Sequence, residues 1–167
     1  MANVNRYRRG KRNLVEVDVA SATVIEKGDF VVLSGGLATT PSLFQAQGSE
    51  AASSTLARDG CADIFVGIAE DASAAGSTAR ILVDVSLDSV YQLEQSTAEA
   101  ISFGDLVAIK ATSTASASYG CEDDAIDSVT NGTTDPIAVC VKSHTAAEGA
   151  GTLCKLLPNK VINPAQS

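Results

Sequence analysis

One nine-residue pattern occurs twice in this chain and constrains its fold more than any other feature. Ile25-Glu-Lys-Gly28-Asp29-Phe30-Val31-Val32-Leu33 and Ile101-Ser-Phe-Gly104-Asp105-Leu106-Val107-Ala108-Ile109 share Ile-x-x-Gly-Asp-Φ-Val-x-Φ, with Φ a large apolar residue, at an offset of 76. Two further matches follow in the same order. Asp63-Ile-Phe-Val-Gly-Ile-Ala69 matches Asp135-Pro-Ile-Ala-Val-Cys-Val141, and Gly76-Ser-Thr-Ala-Arg80-Ile81-Leu82 matches Gly151-Thr-Leu-Cys-Lys155-Leu156-Leu157 at an offset of 75. Ordered matches at nearly constant spacing indicate an internal duplication, each copy being one supersecondary unit.

Each copy reads as β structure. Gly28 and Gly104 precede Asp in a tight turn, where glycine adopts positive φ without strain. Strands are expected at Phe30 to Leu33 and Leu106 to Lys110, at Ile64 to Ala69 and Ile137 to Val141, and at Thr78 to Val85 and Thr152 to Leu157. In the run Thr78 to Val85, Ile81, Val83 and Val85 alternate with Leu82 and Asp84, which defines an inward face. Leu14-Val-Glu-Val-Asp-Val19 alternates too, with Val15, Val17 and Val19 on one side. Val90 to Leu93 reads as a short strand linking the halves, and Ser34-Gly35-Gly36 as a hairpin turn. Helix is expected only as a single turn near Ser96 to Ala100. Two polar segments, Thr39 to Cys61 and Ala111 to Thr134, sit at equivalent places and read as outward loop tips. The second carries the acidic cluster Glu122, Asp123, Asp124 and Asp127.

The fold class is therefore all-β: an antiparallel barrel or sandwich of two duplicated halves with an extended N-terminal arm. Residues 1–20 form the basic arm and first strand. Residues 21–160 form a single β domain, with repeats at about 24–86 and 100–158, and 161–167 form a tail. The composition agrees: Trp is absent, Val, Ile, Leu and Ala must fill the core, and Lys and Glu are too scarce for a helical bundle.

Charge divides the chain sharply. Arg6, Arg8, Arg9, Lys11 and Arg12 all precede the first acidic residue, Glu16, and the remaining seven cations face twenty anions, a net of −13. An acidic body repels nucleic acid and membrane headgroups. The arm, with Tyr7 among its cations, has three readings: an anchor laid along an acidic groove of a protein partner, a solubilising tail, or a weak, salt-sensitive contact to nucleic acid. The anchor reading makes Arg6, Tyr7, Arg8, Arg9, Lys11 and Arg12 the binding residues, and nucleic acid the least favoured partner.

Catalytic motifs are missing. His144 is the sole histidine and reads as a turn residue, not a member of a nucleophilic triad. Gly35-Gly36 lacks the rest of any phosphate-binding pattern. The acidic cluster does not match a calcium loop. Cys61, Cys121, Cys140 and Cys154 form no C-x-x-C pair and read as buried free thiols of a reducing compartment, with one disulfide left open. No enzyme activity, cofactor or metal is expected. No apolar run follows the N-terminal cations, and no stretch approaches membrane-spanning length, so synthesis in a cytoplasm and no membrane association are expected.

The order Gly28-Asp29, Val66-Gly67-Ile68-Ala69, Ala75-Gly76, Val90-Tyr91-Gln92-Leu93 and Gly104-Asp105 resembles the duplicated small β proteins of tailed-phage structural modules, the capsid decoration (cement) proteins. The resemblance covers about residues 20–157. It implies a β-barrel or sandwich, frequently trimeric, that sits on the outer capsid surface of the virion and clamps subunits of the major capsid protein, with no catalysis. This chain departs from the pattern at Val139-Cys140-Val141, where relatives often have Gly-Val-Ala. The alternative is a head fibre, tail or adhesin module whose long loops bind a receptor or glycan. The scarcity of aromatic residues in those loops argues against it.

Overall fold

The computed structural model describes residues 5–46, 53–95, 100–113, 119–129, 134–145 and 151–158. After β1 (Arg6–Arg9), the first half contributes β2 (Leu14–Val17), β3 (Phe30–Ser34), β4 (Leu37–Thr39), α1 (Pro41–Ala46), α2 (Ser54–Ala62), β5 (Phe65–Ala69) and β6 (Ile81–Asp84). The second half contributes β7 (Val90–Gln95), β8 (Leu106–Ser113), β9 (Tyr119–Ser128), β10 (Ala138–Cys140) and β11 (Thr152–Leu156). The protein is all-β in class.

Each half closes on itself. The first sheet runs β2-β6-β5-β3-β4, and a parallel bridge from Val19 to Ala38 joins its two ends. The second runs β7-β11-β10-β8-β9, and β9 pairs in parallel with β7 through Ala125 and Ile126 opposite Glu94 and Gln95. Two five-stranded barrels result, and closure leaves few strand edges to protect.

The repeated motif has a mechanical reason. In the first copy the Asp29 side chain accepts from Glu26 N–H at 2.7 Å, while Asp29 N–H donates to the Glu26 carbonyl at 3.1 Å. In the second copy Asp105 does the same with Ser102, at 2.8 and 3.1 Å. Gly28 and Gly104 hold φ of 99° and 88° and donate to the carbonyls of Ala69 and Cys140. Gly supplies the left-handed turn, Asp closes it, and the next residue starts the strand. Gly35 and Gly36, at φ 58° and 85°, make the expected hairpin between β3 and β4.

These bonds also fix the true correspondence of the halves. Ala69 and Cys140 donate to the carbonyls of Asp29 and Asp105, and they face Val83 and Cys154 across the sheet. Val83 is therefore the counterpart of Cys154, an offset of 71 rather than the 75 read from the letters. A four-residue slip preserves the in-out alternation, so hydrophobic pattern alone cannot detect it. The duplication also begins earlier than expected. Val90 to Leu93 is not a linker but the first strand of the second barrel, pairing with β11 as β2 pairs with β6.

The two long segments are not loop tips at equivalent positions. In the first half the insertion between β4 and β5 forms α1 and α2. In the second half the β8–β9 hairpin is lengthened instead, and both helices lie against it. The expectation of almost no helix is overturned here. Ser53 caps α2 by accepting from Leu56 N–H at 3.2 Å, and Ala57 and Cys61, four residues apart, turn inward. Ser96 to Glu99 lie outside the described residues. The acidic cluster is likewise not a solvated tip, because it lies in β9 and two of its carboxylates, those of Asp123 and Asp127, tie the inserted helices to the hairpin. Asp123 accepts from the N–H and hydroxyl of Ser42 at the start of α1, both at 2.7 Å. Asp127 pairs with Arg58 of α2 at 2.6 Å, and Glu122 pairs with Lys110 at 2.7 Å.

Packing follows the same division. One buried cluster contains only first-half residues, Val17, Val19, Ile25, Val31, Ala38, Val66, Ala69, Ile81 and Val83. The other joins Phe30, Val32, Phe65 and Ile68 of the first half to Tyr91, Leu93, Val107, Ile126 and Leu156 of the second. Alternate residues of β3 and β5 thus fill their own barrel and the seam between barrels, so the halves share a core.

Candidate interaction surface

The N-terminal segment is built into the body. Strand β1 lies antiparallel on β7, with Arg6 opposite Gln92 and Tyr7 opposite Tyr91. The equivalent edge of β2 carries no strand among the described residues. At the near end Asn5 bridges three segments. Its amide donates to the carbonyls of Gly28 and Asp124 at 3.0 and 2.9 Å, and its carbonyl accepts from Glu94 N–H at 2.7 Å.

A clamp of aromatic and charged groups holds the other end. Tyr7 packs edge-on to Tyr91 with ring centroids 5.8 Å apart, and the Arg12 guanidinium lies 4.8 Å above the Tyr7 ring. Arg12 pairs with Glu70 and approaches Asp84 at 3.5 Å. The Tyr91 hydroxyl donates to Glu70 and Asp84, each at 2.9 Å. Asp84 is fully buried and also accepts from Asn13 N–H, Ser86 N–H and the Ser89 hydroxyl. Burial pushes the Glu70 carboxyl up, but hydrogen bonds from Arg12, Tyr91 and Lys27 outweigh it and hold it below the usual carboxylate range. Burial and the Asp84 carboxylate push the Tyr91 phenol up, so it stays a donor.

The six arm residues thus divide. Tyr7 and Arg12 are committed to this clamp, so the acidic groove expected on a partner is, for Arg12, the protein's own. Arg6, Arg8, Arg9 and Lys11 remain exposed. Arg8, which bonds Gln92, and Arg9 line a cleft of about 570 Å³ with Lys142, Ser143, His144 and Leu153 from the β10–β11 end of the second barrel. His144 is half-buried at this cleft. Its backbone exchanges bonds with Ile101, which makes it the counterpart of Ser73 in the first half. Phe103 stands close by, 72% exposed, its N–H donating to the Ser143 hydroxyl at 2.9 Å. A basic cleft flanked by an exposed phenylalanine suits a protein surface that offers carboxylates and an apolar contact. Sequence reasoning passed over Phe103 as a variable turn position. The missed signal was an aromatic residue beside Gly104-Asp105, where the first copy has Lys27.

On the far side of Asn5, Glu94 and Asp124 form an acidic shelf. Burial, then neighbouring carboxylates, raises both above the ordinary range. Among the described residues no three His, Cys, Asp or Glu side chains converge as metal ligands. Comparison with family models, curated proteins and solved structures gave no match for this chain.

Proposed function

We propose that the protein is a capsid decoration protein that binds the outer surface of a virion and stabilises contacts between major capsid protein subunits, acting without catalysis and as a homotrimer. The observation that carries this reading is the row of exposed arginines on a strand fixed to a rigid twin barrel. Arg6 and Arg9 pair with Gln92 and Val90 of β7, and Arg8 sits at the bulge between them and bonds Gln92. The three lie on a fixed strand rather than on a free tail, so their charge is presented without the ordering cost of a disordered segment. A stiff, duplicated β body suits a part needed in many copies. Symmetric repetition over a shell turns a modest contact per copy into large particle stability.

Two measurements test this. Quantitative mass spectrometry of purified particles should find a fixed ratio near one copy per shell subunit. Absence from particles would end the proposal. In reconstitution on undecorated particles, Arg6→Glu/Arg8→Glu/Arg9→Glu and, separately, Phe103→Ser should lose binding while their unfolding free energies stay within about 0.5 kcal/mol per substitution of the parent, as expected for exposed positions. Full binding by both variants would move the contact elsewhere.

A further inference from the structure

We propose that Cys140 and Cys154 are an oxidation site, and that they close a disulfide across the second barrel when the protein meets a low-molecular-weight disulfide such as oxidised glutathione. The two residues lie directly opposite each other on antiparallel β10 and β11. The hydrogen bonds around them define which kind of pair this is. Val141 N–H donates to Leu153 O at 2.8 Å, whereas Cys140 N–H turns away to Asp105 O. The cysteines therefore occupy a non-hydrogen-bonded position, where Cα atoms sit about 4.5 Å apart. That spacing falls within the roughly 4.4–6.8 Å that a disulfide spans. Both side chains point to the same face and are buried, at 1% and 0% exposure.

The duplication supplies an internal control. The same cross-strand position in the first barrel holds Ala69 opposite Val83, so a barrel of this design packs without sulfur. The second barrel has a thiol at both members of the pair at once. Both thiols are free, and the Cys140 thiol donates to the Lys142 carbonyl at 3.0 Å. Burial raises both above the ordinary thiol range, which keeps them protonated and unreactive while the barrel is closed. Reaction thus requires opening of the β10–β11 hairpin, or takes place during folding.

The exchange then balances simply. One cysteine loses its proton, and its thiolate attacks a sulfur of oxidised glutathione. The glutathione S–S bond breaks, and one glutathione leaves as thiolate and takes up a proton. The second cysteine, deprotonated in turn, attacks the protein-bound sulfur and releases the second glutathione. Two protein thiols are oxidised, and one glutathione disulfide is reduced to two thiols.

The test is to refold the full chain in oxidised glutathione, alkylate remaining thiols, and map peptides without reduction. A Cys140–Cys154 linkage is expected, with Cys61 and Cys121 alkylated. The linkage closes a loop of about fifteen residues and should raise the folding equilibrium constant on the order of 100-fold over the reduced protein. Cys140→Ala/Cys154→Val, which restores the pair used by the first barrel, should fold and lose that oxidant-dependent gain. Four alkylated cysteines, or a linkage confined to Cys61 and Cys121, would overturn the proposal.

Discussion

At the scale of single residues, Asp84 does the most. Its carboxylate accepts from two backbone N–H groups, the Ser89 hydroxyl and the Tyr91 phenol, and it faces Arg12. Removing one member of such a buried network leaves the others uncompensated. Asp84→Ala should therefore cost about 3–5 kcal/mol in urea unfolding. Glu70 gives the network its pH dependence. Its folded-state value is depressed, so its contribution is complete above the unfolded carboxylate range near pH 4.3 and is lost as pH falls through the lower folded value. Glu94 and Asp124, whose values are raised, act in the opposite sense and relieve strain as they take up protons. Glu70→Gln should accordingly flatten the acid limb of a stability-versus-pH curve. An unchanged limb would remove Glu70 from the network. None of this was legible in the sequence. Alternation puts Asp84 on the outward face of β6, and it is buried because the N-terminal segment, seventy residues away, folds over it. By contrast, the Gly-Asp turns could be read directly, because both participants are neighbours in the chain.

At the scale of elements, local pattern sufficed where partners are close in sequence and failed where they are not. The strands around Phe30, Leu106, Phe65 and Ile81 follow from alternation and turn residues. Helices α1 and α2 were missed because each is short and amphipathic only against the β8–β9 hairpin, so their stability comes from packing rather than propensity. Strand β1 was missed for a similar reason. Four exposed residues rich in arginine carry no strand signal, and the edge of β7 supplies it. Deleting residues 5–13 should then do more than remove a binding arm. It strips Tyr7 and Arg12 from Tyr91, Glu70 and Asp84, and should lower stability by roughly 3 kcal/mol or more. Faster amide exchange along Val90 to Gln92 would accompany the loss. A deletion variant as stable as the full chain would mean that the clamp contributes little.

At the scale of the whole molecule, duplication was legible but interlocking was not. The helices inserted in the first half rest on the hairpin lengthened in the second, Arg58 reaches Asp127, and Phe30, Phe65 and Ile68 pack against Leu93 and Leu156. Neither half can satisfy this seam alone. Calorimetry should show one transition whose van't Hoff and calorimetric enthalpies agree. Residues 14–86 expressed alone should give the poorly dispersed amide spectrum of an unfolded chain. Two resolved transitions, or a folded isolated half, would show that the barrels are independent.

The same pseudo-symmetry is broken at its rim. Two equivalent slots exist, one beside β7 and one beside β2, and among the described residues β1 fills the first while no strand lies in the second. A doubled body would otherwise be ambiguous about which barrel leads. With one slot taken, the basic row and Phe103 belong to one end only, and the molecule acquires a direction: a front that differs from its back although both are built on the same frame.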